Sequence, residues 1–256
     1  MCFSEEALIF FADLQNVVGY SSQRDVYNNT MYMGLAEKAY PPLTYVFSYC
    51  FSRLVNMDTY YQKDDFLNMY HEPKFLIIYL IFATITMIMV YELIRTCKTG
   101  RQSIKISTAI ACLLSAPMLY SFERANTIIL TMFCTMFFCF FYDSNKNPLL
   151  RQLAYLSFAV AVSLKMTPAV LGIFLLHKRQ WKGVACVIFY SLILFFAPFA
   201  FFKNGFSNLP QMLENLQANL AYYTRDDGCT LFASVSHFVP FPPEWFPSFM
   251  TVVTYI

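Results

Sequence analysis

Charge is scarce in this chain. Only 13% of its 256 residues are Asp, Glu, Lys or Arg, against about 25% in an ordinary soluble domain. A net charge of +2 gives no electrostatic footprint for nucleic acid. The eight cysteines form no Cys-x-x-Cys pair and no metal-ligand spacing, and several sit inside apolar runs as small hydrophobes. The three histidines, His71, His177 and His237, are far apart and make no His-Glu-x-x-His helix face. No metal site and no resident cofactor is expected. Internal repeats are absent, and Met1-Cys-Phe-Ser-Glu-Glu is neither a signal peptide nor a span.

Hydrophobic residues make up 57% of the chain, with 28 Phe and 18 Tyr. They are gathered in long runs, the mark of an all-α polytopic membrane protein. Membrane helices are expected over Phe75–Ile94, Ile106–Tyr120, Ile128–Tyr142 and Val184–Phe202. Leu153–Leu164 and Ala169–Leu176 are two shorter runs, parted by Lys165-Met166-Thr167-Pro168. Leu43–Met57 would be roughly 22 Å long as a helix, short of a hydrocarbon core of about 30 Å, so it reads as half-buried or re-entrant, with a short span the alternative. Residues 5–20 read as a weakly amphipathic helix near the interface. The whole chain reads as a single domain. Residues 1–42 form an outer interfacial segment, 43–202 carry the membrane helices, 203–230 form an outer loop with a helix-like stretch, and 231–256 begin further membrane helices. Both ends read as cut from a larger protein.

Loops 92–105, 143–151 and 177–182 hold nine of the eighteen Lys and Arg but only two of the sixteen acids, Glu92 and Asp143. By the positive-inside rule these loops are cytoplasmic. The alternation then puts Asp13, Tyr40, the Glu123-Arg124-Asn126 turn, Lys165 and residues 203–230 on the outer face. Ser121-Phe122-Glu123-Arg124-Ala125-Asn126-Thr127 is a knot of charge and amide between two apolar runs. Ionisable groups at that depth are costly unless they pair or act. They are expected to converge with Asp13, Tyr40 and Lys165 on one site at the bilayer surface.

Each residue also has a plainer reading. Asp13 can be a solvated loop acid, with Asp25 the next candidate for its role. Glu123-Arg124 can be a local ion pair, Lys165 a turn marker, and Tyr40-Pro41-Pro42 a helix start. Asp64-Asp65 and Asp226-Asp227 read as solvated pairs rather than metal ligands.

In this order the motifs resemble the GT-C membrane glycosyltransferases, and most closely the bacterial polyprenyl-phosphate-mannose-dependent mannosyltransferases. Four features carry the likeness: Asp13 with Asn16 three residues on, Tyr40-Pro41-Pro42-Leu43, Arg124-Ala125-Asn126, and Leu164-Lys165-x-x-Pro168 followed by the basic stretch His177–Lys182. The family's Gly-x-x-Pro-Tyr is replaced here by the stretch ending Arg24-Asp25-Val26-Tyr27, and the membrane helix expected before the Asp is missing.

The resemblance implies a GT-C-like helical bundle with outer interfacial helices, set in the cell membrane with its site on the extracytoplasmic face. It implies inverting transfer of a hexose, mannose by the likeness, from a polyprenyl-phosphate sugar to a glycan or glycolipid hydroxyl. Asp13 would be the base. Arg124 and Lys165 would stabilise the leaving phosphate. Asn16, Tyr40, Glu123 and Asn126 would bind or orient substrate. A lipid or solute transporter, and a non-catalytic relic, are the competing readings. A transporter would place its charges near the midplane on repeated halves.

Overall fold

In the computed structural model, residues 11–28, 37–63, 66–96, 100–144 and 147–225 are described. The first part of the 5–20 stretch, the Asp64-Asp65 and Asp226-Asp227 pairs, and the expected helices of 231–256 lie outside them. The described chain is all α-helix and short 3-10 turns, without a strand.

Four helices precede the first basic loop: α1 (Ala12–Ser21), α2 (Pro42–Ser52), α3 (Met57–Lys63) and α4 (Pro73–Arg95). Next come α5 (Gln102–Leu113), α6 (Ala116–Glu123), α7 (Ile128–Phe141) and α8 (Pro148–Leu164). A 3-10 turn, Thr167–Gly172, leads to α9 (Ile173–His177), then α10 (Trp181–Phe196) and α11 (Asn208–Arg225). Pro42, Pro73, Pro117 and Pro148 each stand in the first turn of a helix, where a missing N–H costs nothing.

Pro73–Arg95, and Trp181–Phe201 including a closing 3-10 turn, are long and apolar enough to cross a bilayer. The expected span 106–120 is instead the pair α5 and α6, bent by 47°. The break falls at Leu114-Ser115, because Pro117 has no N–H for the Leu113 carbonyl and its ring would clash with that carbonyl, so a new helix begins with Pro117 in its first turn. Helices α7, α8 and the Thr167–His177 segment are shorter. Ile77, Ile81, Ile85 and Ile88 of α4 and Ile188, Phe189 and Leu192 of α10 are exposed. An apolar surface of that extent suits lipid.

The bundle packs through small residues and flat rings. Phe138 of α7 stacks on Phe158 of α8 with centroids 4.1 Å apart. Ala154, Ala159 and Ala161 of α8 are buried, which lets neighbouring backbones approach. The Ser157 hydroxyl donates across to the Cys134 carbonyl at 3.0 Å. A β-carbon on Gly183 of α10 would lie 2.7 Å from the Tyr155 hydroxyl oxygen, so only glycine fits that crossing as it stands.

A second layer lies over the end of the bundle where Lys165 sits. It holds α1, α2, α3, the 3-10 turn Phe66–His71 and α11. Tyr27, Tyr45, Phe199 and Phe202 form its buried aromatic centre. Asn215 of α11 donates to the Tyr27 carbonyl at 2.9 Å, and Arg24 donates to the Phe201 carbonyl. Helix α1 is buried on nearly all sides rather than half-exposed at an interface. Its polar Gln15 is accommodated because its side-chain oxygen accepts from the Tyr70 N–H at 3.2 Å. The 43–57 run does not continue as one helix. It ends at Ser52 and turns over Arg53–Asn56. Much of the expected 203–230 loop is α11.

Candidate active site

The turn between α6 and α7 is shaped by one left-handed residue. Ala125 has φ 54°. The Asn126 N–H reaches the Ser121 carbonyl at 2.9 Å and the Ala125 N–H reaches the Phe122 carbonyl at 3.1 Å, a Schellman end to α6. This geometry leaves the Glu123 and Arg124 carbonyls open. The start of α1 takes both: the Phe11 N–H donates to the Glu123 carbonyl at 2.7 Å and the Asp13 N–H to the Arg124 carbonyl at 3.1 Å. Two segments 111 residues apart are thus clamped by their backbones before any side chain is considered.

The side chains complete the clamp. Arg124 donates to Asp13 Oδ1 twice, from Nε at 2.9 Å and Nη2 at 2.6 Å. Asn126 Nδ2 donates to Asp13 Oδ2 at 2.6 Å. The other end of the Asn126 amide accepts the Ile128 N–H at 3.0 Å, which fixes which way the amide faces and caps α7. A carboxylate has about four lone-pair sites. Three are filled, so one remains on Oδ2. The pair is only about one-fifth exposed, with side-chain exposures of 22% for Arg124 and 20% for Asp13.

Beside Asp13 lies a cavity of about 10 Å³, bounded by Tyr40, Thr44, Ser48 and Asn126. That is room for about one water. The buried Ser48 hydroxyl oxygen has no partner among the described residues, and neither has the side-chain oxygen of Asn16. Tyr40 also borders a second cavity of about 300 Å³, together with Glu37, Lys165, Thr167 and Asn219. This is the lower end of the range for small-ligand sites.

Lys165 stands where α8 stops. Pro168 prevents the helix from continuing, and the Thr44 hydroxyl holds the Leu164 carbonyl at 2.8 Å. Burial pulls the Lys165 ammonium below the usual lysine range, while the Asp13 carboxylate pushes the other way. Tyr40 borders both the small cavity beside Asp13 and the larger one beside Lys165. From Lys165 an apolar groove of about 570 Å³ opens between α8, α9 and α10, sharing Met166 and Phe195 with the cavity.

The structure thus brings Asp13, Arg124, Asn126, Tyr40 and Lys165 together. Arg124 pairs with Asp13, not with Glu123, and it is the Glu123 carbonyl that does the clamping. Asp25 accepts from Asn28 at 3.3 Å in its own loop. Tyr27 is buried in the aromatic layer, its hydroxyl donating to the Tyr40 carbonyl at 3.1 Å. Sequence reasoning missed Asn219 and Glu37. Asn208, Asn215 and Asn219 recur at helical spacing, a signal for an amide face on α11. No pattern marks Glu37.

No curated protein and no solved structure matches this chain. The sequence profile of glycosyltransferase family 87 matches residues 39–254. The match covers Tyr40, Arg124, Asn126 and Lys165; Asp13 and Asn16 precede it and are joined to it by the clamp. With most of its length in the match, the chain belongs to glycosyltransferase family 87.

Proposed function

We propose that this glycosyltransferase moves a hexose, mannose by resemblance, from a polyprenyl-phosphate sugar to a glycan or glycolipid hydroxyl at the extracytoplasmic face of the cell membrane. The observation that carries the reading is the Asp13 carboxylate. It is held by Arg124 and Asn126 with one lone pair open, and Tyr40 links its cavity to the one that Lys165 lines.

The acceptor hydroxyl enters at the open lone pair. As its oxygen bonds to the anomeric carbon, its proton passes to Asp13, and the bond from that carbon to the phosphate oxygen breaks on the opposite side. The configuration inverts. General base catalysis of this kind contributes about 10²–10⁴-fold. The departing polyprenyl phosphate gains a negative charge, which Lys165 offsets at low dielectric. Phosphate leaves readily, so no general acid is required. Arg124 is already committed to the base and acts as its positioning residue. The 300 Å³ cavity suits a sugar phosphate, and the apolar groove beyond it suits an isoprenoid tail.

The test is reconstitution in liposomes with polyprenyl-phosphate-mannose labelled in the sugar and a panel of glycan acceptors. Labelled product of inverted anomeric configuration supports the reading. Product of retained configuration, or transfer from a nucleotide sugar alone, overturns it.

A further inference from the structure

At the far end of α8 from Lys165 lies a further concavity, of about 560 Å³, between α8 and the start of α10. Arg151 to Lys165 spans about 21 Å of helix rise, so this concavity and the Asp13 site face opposite sides of the bundle. Three cations line it: Arg151, Arg179 and Lys182. The ion pairs among the described residues are Arg95–Glu92, Arg124–Asp13 and Lys178–Asp143, and none uses these three. Of the two acids in the basic loops, Glu92 pairs with Arg95, and Asp143 is held by Lys178 at 3.6 Å and by the Gln180 amide at 2.7 Å.

The rest of the lining is not that of a solvated loop. Tyr155 and Gly183 form a close-packed floor. Trp181 stands at the rim, 65% exposed, at the first residue of the apolar stretch Trp181–Phe201. Tryptophan at such a position marks the headgroup level. Arg179 adds a further sign. Its φ is 53°, at the end of a Schellman turn in which the Gln180 N–H meets the Leu175 carbonyl at 2.9 Å. Glycine is the usual residue there. This chain keeps a guanidinium at that position, on the wall of a cavity with no acid to meet it.

We propose that this concavity binds the phosphate-bearing headgroup of an anionic membrane phospholipid, in the leaflet opposite the Asp13 site. Arginine offers a two-point donor fork to phosphate oxygens. Basic pockets between membrane helices at the cytoplasmic boundary take such headgroups, and the charge distribution assigns this end to the cytoplasm. The exposed Phe189 of α10, three residues beyond Cys186 of the lining, gives an acyl chain a surface on the same helix face. The proposal does not depend on the sugar chemistry.

The experiment measures lipid retention by the full chain in detergent, by native mass spectrometry, with phosphatidylglycerol against phosphatidylcholine. Wild type is expected to retain phosphatidylglycerol selectively, and excess inorganic phosphate is expected not to displace it. Arg151→Gln with Arg179→Gln and Lys182→Gln should weaken retention at least about tenfold. Arg101→Gln with Lys105→Gln, in another basic loop, should leave it unchanged. Arg179→Gly separates ligand loss from unfolding, because it removes the cation while relieving the left-handed backbone. It should weaken retention with an equal or higher melting temperature. Equal retention by wild type and the triple variant overturns the proposal. So does an equal loss in the Arg101/Lys105 control, which would mean diffuse charge, or full displacement by inorganic phosphate, which would mean a free-anion site.

Discussion

Arg124 grips one oxygen of Asp13 with two nitrogens, Nε at 2.9 Å and Nη2 at 2.6 Å, and so leaves the other oxygen to Asn126 and one further donor. A lysine can supply the charge but not the fork. Arg124→Lys is therefore expected to lower kcat by about 10–100-fold while leaving the KM for the lipid donor within about twofold. Steady-state kinetics in proteoliposomes check this. A rise in donor KM with kcat preserved would place Arg124 on the phosphate instead.

Lys165 should affect both constants. Lys165→Ala is expected to raise the donor KM and lower kcat, together costing at least about 100-fold in kcat/KM. Burial lowers its pKa, and only the ammonium form answers a phosphate charge. As pH rises through that depressed pKa, wild-type activity should fall, on an alkaline limb below the ordinary lysine value. Lys165→Arg should retain part of the activity and lose that limb, since arginine stays charged. A pH profile of kcat/KM for both proteins reads this.

A separate prediction concerns stability. Lys38 is buried in the outer layer, with its ammonium 5.3 Å from the centre of the Tyr20 ring, and burial pushes its pKa down to about 8. The unfolded chain keeps the ordinary value near 10.4. In the window between these values the unfolded state binds more protons, so stability rises with pH and levels off above it. Lys38→Met should remove that rise. Melting temperatures between pH 7 and 11 decide it. A wild-type curve falling over that window would contradict the assignment.

The crossing of α8 and α10 gives a packing prediction. Gly183→Ala puts a methyl group 2.7 Å from the Tyr155 hydroxyl, which is itself held by Gln180 at 3.1 Å. Overpacking of this kind costs about 1–3 kcal/mol. Adding Tyr155→Phe removes the nearest atom but leaves ring carbon Cζ at 2.8 Å, so it should restore only a small part of the loss. Thermal unfolding of the two single variants and the double variant measures the coupling. Simple additivity would mean that the contact is relieved some other way.

The sequence exposed those features whose cause is local. Pro168 marks the break at Lys165, the apolar runs mark α4 and α10, and Tyr40-Pro41-Pro42 marks the start of α2. Pro117 could have marked the bend between α5 and α6, which an averaged apolar run conceals. What depends on distant partners was hidden. Glu123 is the nearest acid to Arg124 in sequence, yet a left-handed Ala125 turns the chain so that Arg124 meets Asp13 instead. The amphipathic reading of α1 failed for a similar reason: aromatic residues of two other segments, Tyr45, Phe199 and Phe202, help cover a face that local periodicity leaves to solvent. Nothing near Glu37 in sequence anticipates its place beside Lys165.

The most direct measurement is sugar transfer by Asp13→Asn, compared with Asp25→Asn and wild type at equal membrane abundance. An Asn at 13 keeps the backbone clamp from Phe11 and from position 13 itself, and so should keep the fold. The account predicts a loss of at least about 100-fold in kcat for Asp13→Asn, an unchanged rate for Asp25→Asn, and retained donor binding in both. Wild-type turnover in Asp13→Asn would contradict it.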